Sequence, residues 1–232
     1  MRAVVEGDRA ALVAATADRL EALLGERIAA RGRATIALTG GSVGIELLAA
    51  LVDRRIDWEH VVVTWSDERF VAADSGDRNA RQAREALLDL VPIPAANIRE
   101  LPAADGTSLD DAATAATGLL EALGPIDLTL LGMGPDAHVA SLFPGMPGVR
   151  EGGARIIPVR DSPKPPPERL SFTVEAINAS ERVWLIVAGA DKAEAVALAR
   201  SGASPDEAPA GAVHGTLETL MLLDADAASA PA

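Results

Sequence analysis

Ile126-Asp127-Leu128-Thr129-Leu130-Leu131-Gly132-Met133-Gly134-Pro135-Asp136-Ala137-His138-Val139-Ala140-Ser141-Leu142-Phe143-Pro144-Gly145 is the stretch on which the reading of this chain turns. Its first six residues form a short apolar run, which suits a strand buried on both faces of a parallel sheet. Two glycines and a proline then stop the strand and make a tight loop. Asp136 and His138 sit on that loop, side chains suited to proton transfer. In open parallel sheets ligands bind beyond the carboxyl ends of the strands, where this loop falls. A plainer account makes Asp136 a helix cap and His138 a surface residue; a buried strand, a glycine turn, Asp and His in that order favour a catalytic loop.

Outward from this loop, strand and helix patterns alternate. Leu12, Leu20, Leu23, Leu24 and Ile28 recur at helical spacing, with Asp8 as N-cap and Gly32 as stop. Strands are predicted at 34–38, 60–65, 155–159, 181–188 and 220–223, and a short one at 97–101. Helices are predicted after Gly44 through Val52, from Asp77 to near Leu90, from Ser108 to Leu123 and after Lys192. A short helix and frayed tail are predicted from Asp224 onward. No repeat or composition shift marks a boundary, so 1–232 reads as a single three-layer α/β domain with a mostly parallel central sheet flanked by helices.

Hydrophobic residues make up 49% of the 232, enough for a sizeable core. A net charge of −13 argues against nucleic-acid binding, which needs a basic face. An anionic small molecule can still bind where a few cations and helix N-termini are focused. With no cysteine, disulfides and thiolate metal sites are excluded. The N-terminus lacks the apolar core of a signal peptide, and no apolar run approaches a membrane span. These features predict a cytoplasmic protein.

The chemistry-bearing residues cluster at strand ends. Gly40, Gly41 and Ser42, between a strand and a helix, form a loop whose N–H groups can cradle phosphate; a purely structural turn explains it equally well. The loop is neither a Walker A nor a GxGxxG pattern. Asp67, Glu68 and Arg69 leave the next strand: Arg69 offers a rigid fork for phosphate or sugar oxygens, and either carboxylate can accept hydroxyls or hold Arg69. Asn79 opens a helix and has capping as an alternative role. Pro165-Pro166-Pro167 makes a stiff extended segment between Lys164 and Arg169. Lys192 sits where a strand passes into a helix, the usual place of a solvated lysine. His214 reads as structural.

Leu131-Gly132-Met133-Gly134 with Asp136, His138 and Ala140 to Gly145 resembles the LGMG-x-DGHTASLFPG signature of the 6-phosphogluconolactonases, which share a superfamily with the glucosamine-6-phosphate deaminases. The resemblance extends in order through the Gly40-Gly41-Ser42 loop, Asp67-Glu68-Arg69, Asn79, the Lys164 to Arg169 segment and Gly189 to Ala193. It departs at Ala137, where glycine is usual, and at Val139, where threonine is usual. If position 137 needs a positive φ, alanine there costs on the order of 1 kcal/mol.

The resemblance implies hydrolysis of 6-phospho-D-glucono-1,5-lactone to 6-phospho-D-gluconate, the second step of the oxidative pentose phosphate pathway. It makes His138 the general base and Asp136 the group that orients it or contacts the sugar. Gly40, Gly41, Ser42, Asp67, Arg69, Arg169 and Lys192 become substrate-binding, with Lys164 a further phosphate candidate and Arg169 the more inward-pointing of the two. No cofactor or metal is implied, and the partner is the sugar-phosphate lactone alone, for a monomer or weak homo-oligomer. Two rivals remain: a glucosamine-6-phosphate deaminase or isomerase and a non-catalytic sugar-phosphate sensor. The first usually carries a carboxylate where Phe143 stands; the second, as a repressor domain, would bring a DNA-binding module.

Overall fold

The structure is a computed structural model and describes residues 1–229. Its centre is a six-stranded sheet formed by β1 (Arg2–Glu6), β2 (Ala34–Leu38), β3 (Val61–Trp65), β5 (Leu128–Gly132), β8 (Arg182–Val187) and β9 (Glu218–Asp224). The order is β1-β9-β8-β5-β2-β3 and every pairing is parallel. All five residues of β2 are buried, as a strand covered on both faces requires. From β2 the chain moves outward to β3, and from β5 it moves the other way through β8 to β9. The β2/β5 boundary is therefore the topological switch point, beyond whose carboxyl ends a ligand crevice opens. Thr39 Oγ1 accepts the Gly132 N–H there at 3.1 Å and ties the two strand ends together.

α1 (Arg9–Arg31) starts where Asp8 Oδ1 accepts the Ala11 N–H at 2.8 Å and ends at Gly32 in the left-handed conformation, as its sequence predicts. It packs beside α2 (Ser42–Ala49) over the sheet. α3 (Asn79–Ala83) runs into a π-turn at Arg84–Leu88, so the predicted helix to Leu90 is present but wound differently in its second half. α4 (Leu109–Leu123) is capped by Ser108, α5 (Val174–Asn178) by Thr173, and α6 (Ala193–Arg200) and α7 (Pro209–Ala212) follow β8.

Several features differ from the sequence reading. β1 is absent from it, because Arg2–Glu6 is half-exposed and its apolar residues are too few to show a period; pairing with β9 at the sheet edge makes it a strand. The short strand predicted at 97–101 reduces to one bridge, Ile98 with Val63, plus the Arg99 N–H on the Val63 carbonyl. The tail from Asp224 makes a turn rather than a helix, with the Ala227 N–H on Asp224 Oδ1; residues 230–232 lie outside the described range.

A second, antiparallel sheet is the main addition: β4 (Asp67–Arg69), β7 (Arg169–Phe172) and β6 (Ile156–Val159), in the order β4-β7-β6. Its register places Arg69 opposite Arg169, and so brings two cations distant in sequence to one rim of the crevice.

Candidate active site

A cavity of about 300 Å³ opens at the switch point. It is lined by the loops after β2, β3, β5 and β8 and by the proline segment before β7. Gly40, Gly41, Ser42, Asp67, Arg69, His138, Arg169 and Lys192 all line it, so the structure gathers these predicted residues in one place. Asp136 is not among the lining residues and joins the site through its hydrogen bond to His138. Asn79 and Lys164 belong to the lining too.

The turn Gly134–His138 closes by two backbone hydrogen bonds, Gly134 N–H to the His138 carbonyl and Ala137 N–H to the Gly134 carbonyl, each 3.0 Å. It sets His138 Nδ1 2.5 Å from Asp136 Oδ1. With Asp136 ionised, Nδ1 carries the hydrogen and Nε2 is left with a lone pair. The imidazole side chain is only 14% exposed. Burial pushes its pKa below the ordinary value, with Lys164 adding to the effect and Asp136 opposing it. Burial alone would raise the Asp136 carboxyl, but the hydrogen bond and charge of His138 hold it below the usual range. The Phe143 ring centroid lies 4.5 Å from that of the imidazole, the two rings tilted by 33°.

Ala137 has φ +62°, the left-handed conformation under which alanine in place of glycine is strained. Ala137 and Val139 are fully buried and neither lines the cavity, so both departures are core substitutions that leave the site's polar groups in place. Ala137→Gly relieves about 1 kcal/mol of strain but loses about 0.8 kcal/mol of methyl burial and loosens the unfolded chain by about 0.4–1 kcal/mol. The expected change in unfolding free energy in urea is within about 1 kcal/mol of zero; a gain above about 2 kcal/mol would show that the turn stores more strain than its φ implies.

At the opposite wall Gly41, with φ +82°, turns the chain into α2 and aims the first N–H groups of that helix at the cavity. Gly40 must be glycine for a different reason. A Cβ there would lie 2.0 Å from Asn79 Oδ1. Asn79 is not a cap: its Nδ2 donates to the Asp67 carbonyl at 2.9 Å, and its Oδ1 packs against Gly40. The cap of α3 is Glu68, which accepts the Asn79 and Ala80 N–H groups at 2.7 and 2.9 Å and the Arg69 N–H at 2.8 Å. Burial raises the Glu68 pKa, and Arg78 and those amides offset part of the rise. Of the two carboxylates offered by the sequence, Glu68 is thus structural, while Asp67 faces the cavity and takes the Ser141 hydroxyl on Oδ2 at 2.7 Å.

Arg69 is steadied by the Asp77 carbonyl at 2.6 Å, and Lys192 Nζ lies 3.0 Å from Asp191 Oδ2. The Asp224 carboxylate accepts the N–H of Gly189 at 3.0 Å, and the Gly189 carbonyl accepts the Lys192 N–H at 3.0 Å. Arg69, Lys164, Arg169 and Lys192 thus face one small cavity in a chain of net charge −13, a local focus of positive potential. Two contributors, Ser141 and Arg78, have no role in the sequence reading. Neither carries a signal in one dimension, since the partners of Ser141 lie on β4 and β7, and Arg78 is buried against Glu68 and the Leu101 carbonyl. Among the described residues no cluster of His, Asp and Glu is arranged to hold a metal ion.

A switch-point crevice with a focused set of cations and a His–Asp pair defines an α/β protein built to hold an anion beside a site of proton transfer. Comparison with known proteins narrows this. Residues 7–222 match the family described as glucosamine-6-phosphate isomerases/6-phosphogluconolactonase, and the chain belongs to that family. It is 45% identical to the 6-phosphogluconolactonase of Mycobacterium leprae, an alignment covering 99% of this chain and 98% of that one. With the 6-phosphogluconolactonase of Mycobacterium tuberculosis it shares 46% identity over 94% and 93% of the two chains. The three-dimensional structure of 6-phosphogluconolactonase from Trypanosoma brucei superposes with a TM-score of 0.88 at 27% identity, covering 100% of this chain and 98% of that one.

Proposed function

We propose that this chain is a 6-phosphogluconolactonase, hydrolysing 6-phospho-D-glucono-1,5-lactone to 6-phospho-D-gluconate in the oxidative pentose phosphate pathway. The observation that carries the reading is the His138–Asp136 pair on a cation-lined cavity, with Phe143 rather than a carboxylate against the imidazole. A δ-lactone is an activated ester, needing a water made nucleophilic and stabilisation of the tetrahedral oxyanion. His138 Nε2 takes a proton from water as its oxygen attacks the lactone carbonyl carbon. The bond to the ring oxygen then breaks, and the same Nε2–H returns the proton to that oxygen. Asp136 keeps Nδ1 protonated throughout, and the cationic lining offsets the oxyanion charge. Ser42 and the N–H groups of the Gly40–Ser42 loop hold the phosphate with Arg69 and Lys192, giving proximity rather than chemistry. The carboxylate of Asp67 accepts a sugar hydroxyl.

The aromatic neighbour speaks against an amino-sugar deaminase, whose histidine is tuned by a carboxylate at that position. A monomer or weak homo-oligomer is part of the proposal. A cytoplasmic location is part of the proposal; no described helix is long and apolar enough to cross a membrane.

The test is hydrolysis of freshly generated 6-phospho-D-glucono-1,5-lactone, counted only above its spontaneous opening. Wild-type protein is expected to accelerate it, and absence of acceleration, with turnover of glucosamine 6-phosphate instead, would overturn the assignment. The pH profile adds a check. The buried imidazole has its pKa lowered, so the base form prevails at neutrality. The acid limb of kcat/KM is expected below about 6.5, the ordinary imidazole value. An acid limb above that value would mean that the base is not this imidazole.

A further inference from the structure

Pro165, Pro166 and Pro167 have no backbone N–H, so this segment cannot satisfy its own carbonyls. The Ser162 N–H meets the Pro167 carbonyl at 3.0 Å, and Arg169 meets the others. Its Nη2 donates to the Lys164 carbonyl at 2.9 Å and to the Pro165 carbonyl at 3.2 Å, and its Nε donates to the Pro166 carbonyl at 3.2 Å. Nη1 donates to Ser141 Oγ at 3.4 Å, whose hydroxyl donates in turn to Asp67. These four contacts, set against the five N–H of a guanidinium, leave one. The guanidinium lies 5.7 Å from the Phe143 ring centroid, and the residue is 5% exposed.

Lys164 is the converse. Its main chain is fixed, the carbonyl by Arg169 and by Ser162 Oγ at 2.9 Å, the N–H by Ser162 Oγ at 3.3 Å. Lys164 belongs to the cavity lining, and the carboxylates nearest in influence on its ammonium, Asp136 and Asp191, are already paired with His138 and Lys192.

We infer that Arg169 is a positioning residue that clamps the proline segment to the catalytic loop, and that it serves the substrate's phosphate through Lys164 rather than by touching it. The substrate's name rests on the lactonase reading; the clamp does not. A rigid planar fork can meet three carbonyls and a hydroxyl at once, which a lysine ammonium cannot.

The experiment is a double-mutant cycle of Lys164→Met and Arg169→Gln, read by calorimetric binding of inorganic phosphate, with kcat/KM for the phosphorylated lactone alongside. Each single variant is expected to weaken phosphate binding by about tenfold, the loss of one charge-assisted contact, with the double variant no weaker than the weaker single. Losses that multiply to about a hundredfold would place Arg169 on the phosphate itself. Unchanged phosphate affinity in either single variant would also overturn the inference. Should Arg169→Gln not fold, Ser162→Ala removes the other support of Lys164 and is expected to weaken phosphate binding in wild type but not beside Lys164→Met; an equal loss in both backgrounds would overturn the clamp. Arg169→Lys is expected not to restore affinity, and full rescue would show that charge alone suffices. Because phosphate binding needs no turnover, a protein that binds it and hydrolyses no lactone would sink the lactonase reading and leave the clamp standing.

Discussion

Replacing His138 by alanine is expected to lower kcat/KM for the phosphorylated lactone by about 10²–10⁴-fold, the range that a positioned general base contributes. Among the described residues lining the cavity, the imidazole alone combines a buried setting with a carboxylate fixing its tautomer. Its loss leaves the cation lining untouched, so KM is expected to change far less than kcat. Asp136→Asn separates the two functions of the pair. Removing the carboxylate takes away the charge that pulls the imidazole value up, so the acid limb of the profile moves to lower pH while kcat falls through lost orientation. The check is a pH series on both variants, with thermal unfolding to confirm that each is folded. Wild-type activity in His138→Ala would remove the base from the mechanism.

Gly134→Ala is expected to be nearly as damaging, although the residue bears no reactive atom. A Cβ on Gly134 would lie 2.0 Å from His138 Nδ1, 2.1 Å from its Cε1 and 2.3 Å from Asp136 Oδ1. Both members of the pair would have to move together, and a misplacement of about 1 Å costs on the order of 10²-fold in rate. The turn's backbone hydrogen bonds do not involve that hydrogen, so stability is expected to fall by about 1 kcal/mol or less. Gly145→Ala is the opposite case. Gly145 has φ +71°, and a methyl added there meets nothing within 4 Å, so strain of about 1 kcal/mol appears in the unfolding midpoint while kcat/KM holds. Comparing kcat/KM and the urea midpoint for the two variants tests both. Equal activity of Gly134→Ala and wild type would mean that the pair tolerates displacement.

Local chemistry makes several elements readable without coordinates. β2, β5 and β8 are apolar runs of strand length, and α1 declares both ends through Asp8 and Gly32. The Gly40–Ser42 loop, the turn at Gly134 and the Asp136–His138 spacing are also local, because each sets its geometry within a few residues. For that reason the candidate base and its partner are legible in one dimension, whereas the Gly40–Ser42 loop alone suits a structural turn equally well and takes its phosphate role from the resemblance. β1 and β4 are not, since each is a strand only by virtue of a partner, β9 or β7, far along the chain.

The alternating α/β architecture, the acidic net charge and the residue types of the site all follow from the order of amino acids, because they depend on periodicity, composition and local turn chemistry. Which charges serve the cavity is settled only when the chain has folded. Glu68 is withdrawn to cap α3, Asp67 is turned inward and tied to Ser141, and Arg169 spends its donors on a proline segment that has none of its own. Each of these outcomes depends on hydrogen-bond partners brought together by the β4-β7 pairing and the loops around it, and sequence position carries no information about which donors find which acceptors until the second sheet has formed.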